Sequence, residues 1–431
     1  MTELAPWVRP VAKDWELRRI RTLGRTGSGS GFPPSCQGRV DLEVPFYKVK
    51  HLGQSGPDGV LGRADDTISR ETAEYLGATV FPAGTLVYAK VGAALMLGRV
   101  RVLPVDACID NNMAGLAPGS GVDQRYLYWA MSQVRFDYLV NPGAVPSLSD
   151  KNLLDFPLLL PPYAEQRAIA DYLDRETARI DTLIEEQQRL IETLRERRTA
   201  VISRSVARGL DDLVALEESG LPGAGPVPEH WQIMPLRYAI FFQEGPGIMA
   251  ADFRDEGVPL LRVRSVRSSQ TTLAGCNYLD ADDVVRRWSH FRVDLGDLLI
   301  SASASMGIVS EVTEETVGAV PYTGIIRIKA GRMIKDFVRW FLVSDEFMDQ
   351  VDSLKTGSTI QHFGPTHLAQ MRVALPPRDE QRRIAAYLDG QTAKIDALIA
   401  EAERFIELSK ERRAALITAA VTGQIDVRGV A

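Results

Sequence analysis

Basic and hydroxyl side chains recur on short β-like runs, in both halves of the chain. Lys48 and Lys50 alternate along VPFYKVK, and Arg262, Arg264 and Arg267 do much the same from VPLLRVR onward. Alternation places such residues on one face of a strand. Arg21, Arg25, Thr26 and Ser28 lead into a glycine-rich run, and Lys90 sits on a second β-like run. Ser303 lies on that run's counterpart in the second half, and Gln361 and His362 fall in a loop beyond it. Arg and Lys in this setting reach phosphates and guanine O6/N7 edges, with Gln and Ser completing the contacts. A solvated strand face is the competing reading of the same pattern.

Catalytic constellations are missing. The chain has no GxxxxGK[ST] loop, no HExxH and no G-x-S-x-G elbow in a strand–turn–helix setting. Its five histidines show no metal-ligand spacing beyond His362 and His367. The run Gly27–Gly31 lacks a clear strand before it and a helix after it, so a flexible loop approaching a large polyanion fits better than a cofactor loop. Three scattered cysteines argue against a disulfide framework or a zinc site, and a reducing cytoplasm is expected. Neither a membrane-spanning apolar run nor a secretory leader is visible. The net charge of −6 counts against a charge-driven, sequence-independent coat on nucleic acid. Residues 1–160 carry 17 Lys+Arg against 16 Asp+Glu, and residues 212–375 carry 15 against 21. Any nucleic-acid contact must therefore come from local faces.

The elements that position these residues are set by a duplication. Residues 161–211 and 376–426 agree at 27 of 51 positions without a gap. Both open on Pro-Pro, which forces an extended entry and suits a helix's first turn. Glu165 and Glu380 then sit near the positive end of the helix dipole. Gln166, Leu173, Ile180, Ile184 and Leu194 in one copy, and Gln381, Leu388, Ile395 and Ile399 in the other, recur at helical spacing. Each copy is a helix of about 60 Å that cannot bury its stripe alone. Chain order favours antiparallel pairing, because a block of some 165 residues is only about 40 Å across. The expectation is α+β: two globular blocks, residues 1–160 and 212–375, joined by an antiparallel two-helix coiled-coil spacer, residues 161–211 and 376–431, with a pseudo-two-fold repeat. The alternative packs each helix on its own block.

The blocks resemble each other weakly but in order. Each opens near a Trp, Trp15 or Trp231, and runs through a glycine-containing stretch and two β-like runs. Each then has an amphipathic helix, expected over 123–139 and 336–354, and a short strand before the Pro-Pro.

The tandem PP-x-x-EQ-x-x-I-A-x-YLD-x-x-T-A-x-ID-x-LI segments, each ending in ERR[TA]A, resemble the specificity subunit of type I restriction–modification enzymes. The resemblance covers nearly the whole length. It implies that the blocks are target recognition domains, each reading one half of a bipartite, asymmetric sequence in double-stranded DNA. It implies that the paired helices set the spacing and dock two modification (methyltransferase) subunits, to which restriction (motor/nuclease) subunits are added. S-adenosylmethionine, ATP and Mg²⁺ would belong to those partners, with no cofactor, metal or membrane contact and no catalytic residue in this chain. The rivals are a subunit of a modification-only or phage-defence system, a scaffold without DNA readout, and a nuclease or methyltransferase within the chain. On the spacer reading, one helical turn inserted between Thr177 and Arg198 adds about 5–6 Å. The unread DNA spacer should then lengthen by about one to two base pairs, at roughly 3.4 Å each. Methylome sequencing reads this directly, and an unchanged spacer contradicts the ruler.

Overall fold

The computed structural model describes residues 14–56, 58–141, 143, 145–222, 224–302, 308–354 and 363–427. Two long helices dominate, Tyr163–Arg208 and Arg378–Val421. The chain divides into two compact units, residues Met1–Arg189 with Glu403–Ala431, and Leu190–Ala402. Each unit holds one globular block, the start of the helix that leaves it and the end of the other helix.

Strand pairing closes each block on itself. In the first unit the opening strand Glu16–Arg19 pairs antiparallel with the last, Pro157–Leu160, immediately before Pro161. A four-stranded antiparallel sheet runs in the order Gly24–Ser28, Met113–Pro118, Leu86–Ala89, Val100–Val102. A second sheet sets Val44–Tyr47 antiparallel to Asp66–Ile68 and parallel to Cys108–Ile109. The second unit repeats this plan with different residues. Gln232–Pro235 pairs with Arg372–Leu375, and a four-stranded sheet runs Ile240–Glu244, Ile325–Ala330, Leu298–Ser301, Val309–Glu311. Val258–Leu261 again has an antiparallel neighbour, Asn277–Leu279, and a parallel one, Val320–Pro321. The class is α+β with mixed sheets, as expected.

Helix direction follows from contacts inside each unit. In the first, Ile169, Ala170 and Leu173 share a core with Ile417, Ala420 and Val421. Further along the first helix, Asp181 accepts two bonds from Arg413, which lies earlier in the second, at 2.9 and 3.2 Å. In the second unit, Ile202 and Val206 share a core with Ile384 and Leu388, while Arg198 donates to Asp396 at 2.9 Å. Both pairings are antiparallel. The four charged residues are equivalent through the repeat, so one Arg–Asp contact is made twice. The helix starts also pack on their own blocks, so the two packing arrangements coexist. Each long helix ends at a glycine with positive φ, Gly209 at 73° and Gly423 at 71°. A Cβ there would lie 3.3 Å from the ring of Trp231 or Trp15 respectively. The Trp that opens each block thus seats the helix arriving from elsewhere in the chain.

Three local expectations change. The helix expected over 123–139 is Gln124–Ser132 followed by a 3-10 turn, Phe136–Leu139. That expected over 336–354 is split into Lys335–Phe341 and Asp345–Leu354, because Ser344 Oγ donates to Phe341 O at 2.7 Å and competes with helix continuation. The glycine-rich run is strand through Ser28 rather than loop. Gly29 is required by packing, since a Cβ on it would fall 1.9 Å from Asp110 O. Gly245 repeats this, at 2.1 Å from Pro321 O.

Glu346 is the least comfortable group in the second core. It is 1% exposed, and among the described residues its Oε2 has no partner and its Oε1 accepts only from Ala374 N, at 3.4 Å. Burial pushes its pKa up to about 8, against a small lowering by the Ala374 amide. A carboxyl raised in the folded state binds a proton that the unfolded chain has lost, so stability falls as pH rises from about 4.5 to about 8. Glu346→Gln should remove this slope. The variant's melting advantage over wild type should be smallest near pH 4.5 and greatest above pH 8, on the order of a few kcal/mol, in thermal unfolding across that range. A gap independent of pH contradicts the assignment.

Candidate nucleic-acid interface

The sequence-selected cations separate into quenched and available groups. Arg21 pairs with Asp155, which also takes Arg19 at 3.4 Å. Lys50 pairs with Asp65, and His51 approaches the same carboxylate at 3.3 Å. Lys48 Nζ lies 2.8 Å from Asp66 Oδ2, donates to Gln37 Oε1 at 2.9 Å and sits 5.0 Å from the Phe32 ring centre. Asp66 is nearly buried. Burial opposes its charge, but the Gly38 amide and the Lys48 ammonium outweigh that and hold its carboxyl below the usual range. These cations are therefore locally neutralised.

Others are not. Arg25 and Thr26 are exposed on Gly24–Ser28. Lys90 Nζ donates to Ser28 Oγ at 2.9 Å, which links two of the expected residues. Arg264 and Arg267 are exposed. Arg267 lines a groove with Arg198, Trp340, Asp389 and Asp396 within the second unit. Arg262 is half-buried, with its guanidinium carbon 4.1 Å from the Tyr322 ring centre and 5.5 Å from that of Phe253. Its Nη1 donates to Asn277 Oδ1 at 3.2 Å. Ser303, Gln361 and His362 lie outside the described residues. The structure therefore joins Lys90 with Ser28, and it places Lys48 and Lys50 at the 3-10 turn that follows Val44–Tyr47 rather than on a strand face, because the strand ends at Tyr47.

The helix residues expected to form the spacer or dock partners are mostly internal. Gln166 and Gln381 are each 1% exposed. Gln166 accepts from Asp123 N at 2.7 Å and donates to Pro161 O at 2.8 Å and Gly121 O at 3.1 Å. Gln381 accepts from Ile334 N at 2.8 Å and donates to Pro376 O at 2.8 Å and Arg332 O at 3.4 Å. Leu173, Ile180, Leu194, Leu388 and Ile395 are buried, and Ile184 and Ile399 half-buried. Their apolar periodicity serves packing within the chain. Glu165 is half-buried, and Glu380 accepts from Trp231 Nε1 at 3.2 Å and meets His230 at 2.9 Å. The exposed apolar residues of the helices include Leu183, Leu190, Leu398, Phe405 and Leu408, with Tyr163 and Tyr387. Leu183 and Leu398 are repeat equivalents, as are Leu190 and Phe405. That strip was legible as a second apolar row beside the buried one.

Each helix start carries a polar junction as well. Asp174 accepts from Arg125 at 2.5 and 3.0 Å and from Trp129 Nε1 at 2.8 Å. Its equivalent, Asp389, accepts from Arg339 at 2.6 Å and Trp340 Nε1 at 3.1 Å. Among the described residues no cluster of His, Cys, Asp or Glu could hold a metal ion, and no helix is long and apolar enough to cross a membrane.

This architecture, an α+β block with a long helix leaving it, occurs twice in the chain. Residues 12–193 match the family described as Type I restriction modification DNA specificity domain. The chain is 21% identical over 319 residues to the type I restriction enzyme MjaVIII specificity subunit of Methanocaldococcus jannaschii, covering 72% of each. It is 21% identical over 434 residues to the putative MjaX specificity subunit of the same organism, covering 97% of this chain and 95% of that one. A solved chain of a type I R-M system, from work on complex assembly and conformational transition, superposes with a TM-score of 0.76 at 14% identity, over 97% of this chain and all of that one. The chain is thus similar, over nearly its whole length, to type I restriction–modification specificity subunits.

The junction yields a test. Asp174→Ala strips a bidentate partner from Arg125 and the acceptor from Trp129 Nε1. It should destabilise the protein by roughly 1–2 kcal/mol, after allowance for solvent screening, in urea denaturation. Asp389→Ala should do the same for the second unit. A null effect at both positions would show that these junctions do not hold the helices.

Proposed function

We propose that this chain is the sequence-reading subunit of a type I restriction–modification complex, with no chemistry of its own. Residues 1–160 and 212–375 each read one half of a bipartite, asymmetric site in double-stranded DNA. The observation that carries this is a constant frame with variable faces. The Gln166/Gln381 anchors, the Trp–Asp junctions and the strand topology are the same in both units, while the residues displayed on equivalent strands differ. An asymmetric target read by two copies of one fold needs this combination, because a frame that fixes register carries no base information and the displayed side chains supply it.

Two modification subunits dock on the long helices in this reading, supported by the repeated exposed apolar positions Leu183/Leu398 and Leu190/Phe405. Repetition of the same strip suits two copies of one partner. S-adenosylmethionine, ATP and Mg²⁺ belong to the modification and restriction subunits, and the assembly works in the cytoplasm.

Replacing residues 1–160 with the matching block of another specificity subunit should change one half of the methylated motif and leave the other half intact. Methylome sequencing of a host carrying the chimaera with its modification partner reads both halves at once. A change in both halves contradicts the modular assignment.

A further inference from the structure

One site differs between the blocks in a way that changes its charge. The strand registers define the equivalence. Val44 faces Ile68 and Phe46 faces Asp66 in the first block; Val258 faces Leu279 and Leu260 faces Asn277 in the second. Lys48 and Arg262 each follow their strand by the same step and precede a 3-10 turn, Val49–Gly53 or Val263–Ser265. The third strands agree too. Tyr47 faces Ile109 and Leu261 faces Pro321, so Tyr322 stands where Asp110 stands in the first block. Asp110 N donates to Tyr47 O, and Tyr322 N to Leu261 O, at 2.9 and 3.0 Å.

At equivalent positions the first block therefore has Lys with two aspartates, and the second has Arg with Asn and Tyr. In the first, Asp66 grips the Lys48 ammonium at 2.8 Å. In the second, Asn277 offers Arg262 only a neutral oxygen at 3.2 Å. No ion pair reaches Arg262 among the described residues, and the undescribed stretches 303–307 and 355–362 contain no acidic residue. The Tyr322 ring at 4.1 Å and the Asn277 oxygen hold the guanidinium without cancelling its charge. One of its five N–H groups is used, which leaves a planar donor pair for two acceptors. Guanine O6 and N7 in the major groove present such a pair.

We infer that Arg262 is a specificity-determining residue of the second block that takes a guanine edge, and that the equivalent site of the first block is switched off by Asp66. This rests on the DNA-reading function proposed above. A phosphate could occupy the same donor pair, and the two sources leave different signatures. Losing a base contact relaxes one position of the target, whereas losing a phosphate contact weakens all sequences alike.

The test uses the full chain co-expressed with its modification subunit, with methylome sequencing of wild type, Arg262→Ala, Asn277→Asp and Asp66→Asn. Asn277→Asp installs the first block's pairing and quenches the cation without removing it. Arg262→Ala and Asn277→Asp should each lower discrimination for guanine at one position of the second half-site by roughly 5- to 150-fold. The first half-site should be unchanged. Asp66→Asn should alter preference in the first half-site only. Thermal melting and co-purification with the modification subunit check that each variant is folded. An unchanged motif, a uniform fall in methylation with the motif intact, or a change in the wrong half each overturns the assignment. If the folded wild type gives no bipartite motif, the reading function itself fails and takes this assignment with it. A bipartite motif that Arg262→Ala and Asn277→Asp leave unaltered refutes the Arg262 role alone.

Discussion

The buried amides of Gln166 and Gln381 are the constraint on which the rest depends. Each sits in the first turn of a long helix, where backbone N–H groups lack intrahelical partners. Each instead spends its own side chain on three backbone groups that belong to two other places in the block: the turn before the block's helix and the proline that precedes the long helix. A buried amide left unpaired costs about 1–3 kcal/mol, so the helix starts in one direction on its block or not at all. The Trp–Asp junction about two turns further on fixes rotation about that axis. Block and helix thereby become one rigid piece inside each unit.

That piece was duplicated, and its two copies diverged unevenly. Residues whose bonds run to backbone, such as Gln166 and Gln381, are the same in both, because backbone geometry is shared. Glycines 29 and 245 persist because a neighbouring strand's carbonyl occupies the space of a Cβ. Positions whose side chains bond to each other rather than to backbone carry no such obligation. Lys48 against Arg262, and Asp66 against Asn277, are free to change charge while the strand register stays fixed. A fold built this way can vary what it recognises without disturbing how it stands.

The long helices, their antiparallel direction and the α+β class were legible in the sequence, because repetition and a 3.6-residue period survive any tertiary context. The split at Ser344 was not, since a hydroxyl turning onto Phe341 O is a local competition that periodicity does not register. How the helix residues divide their burial was not legible for a related reason. An apolar stripe announces burial but not its partner, and Leu173 and Leu388 are covered by their own blocks. The strand cations were found as residue types, yet Lys48 and Lys50 alternate as clearly as Arg262 and Arg264. What separates a spent cation from an available one is the residue on the neighbouring strand, some 18 positions away for Lys48 and Asp66, and no single-strand pattern contains it.

The acidic balance of the second block, −6 over residues 212–375, leaves at least six carboxylates with no cation of the block to pair, so a polyanion must be met at a local face. Three of its carboxylates are assigned to particular cations. Arg327 is 4% exposed and lies 2.6 Å from Asp297 and 2.8 Å from Asp294, which also takes Lys329. Glu311 holds Lys335 at 2.8 Å. Such pairs look neutral beyond a Debye length of about 8–10 Å. They add nothing to the net charge and little to the field outside. The potential that an approaching duplex meets at the Val258–Leu261 sheet is set by whichever charges lack a local partner, and there Arg262 keeps its own.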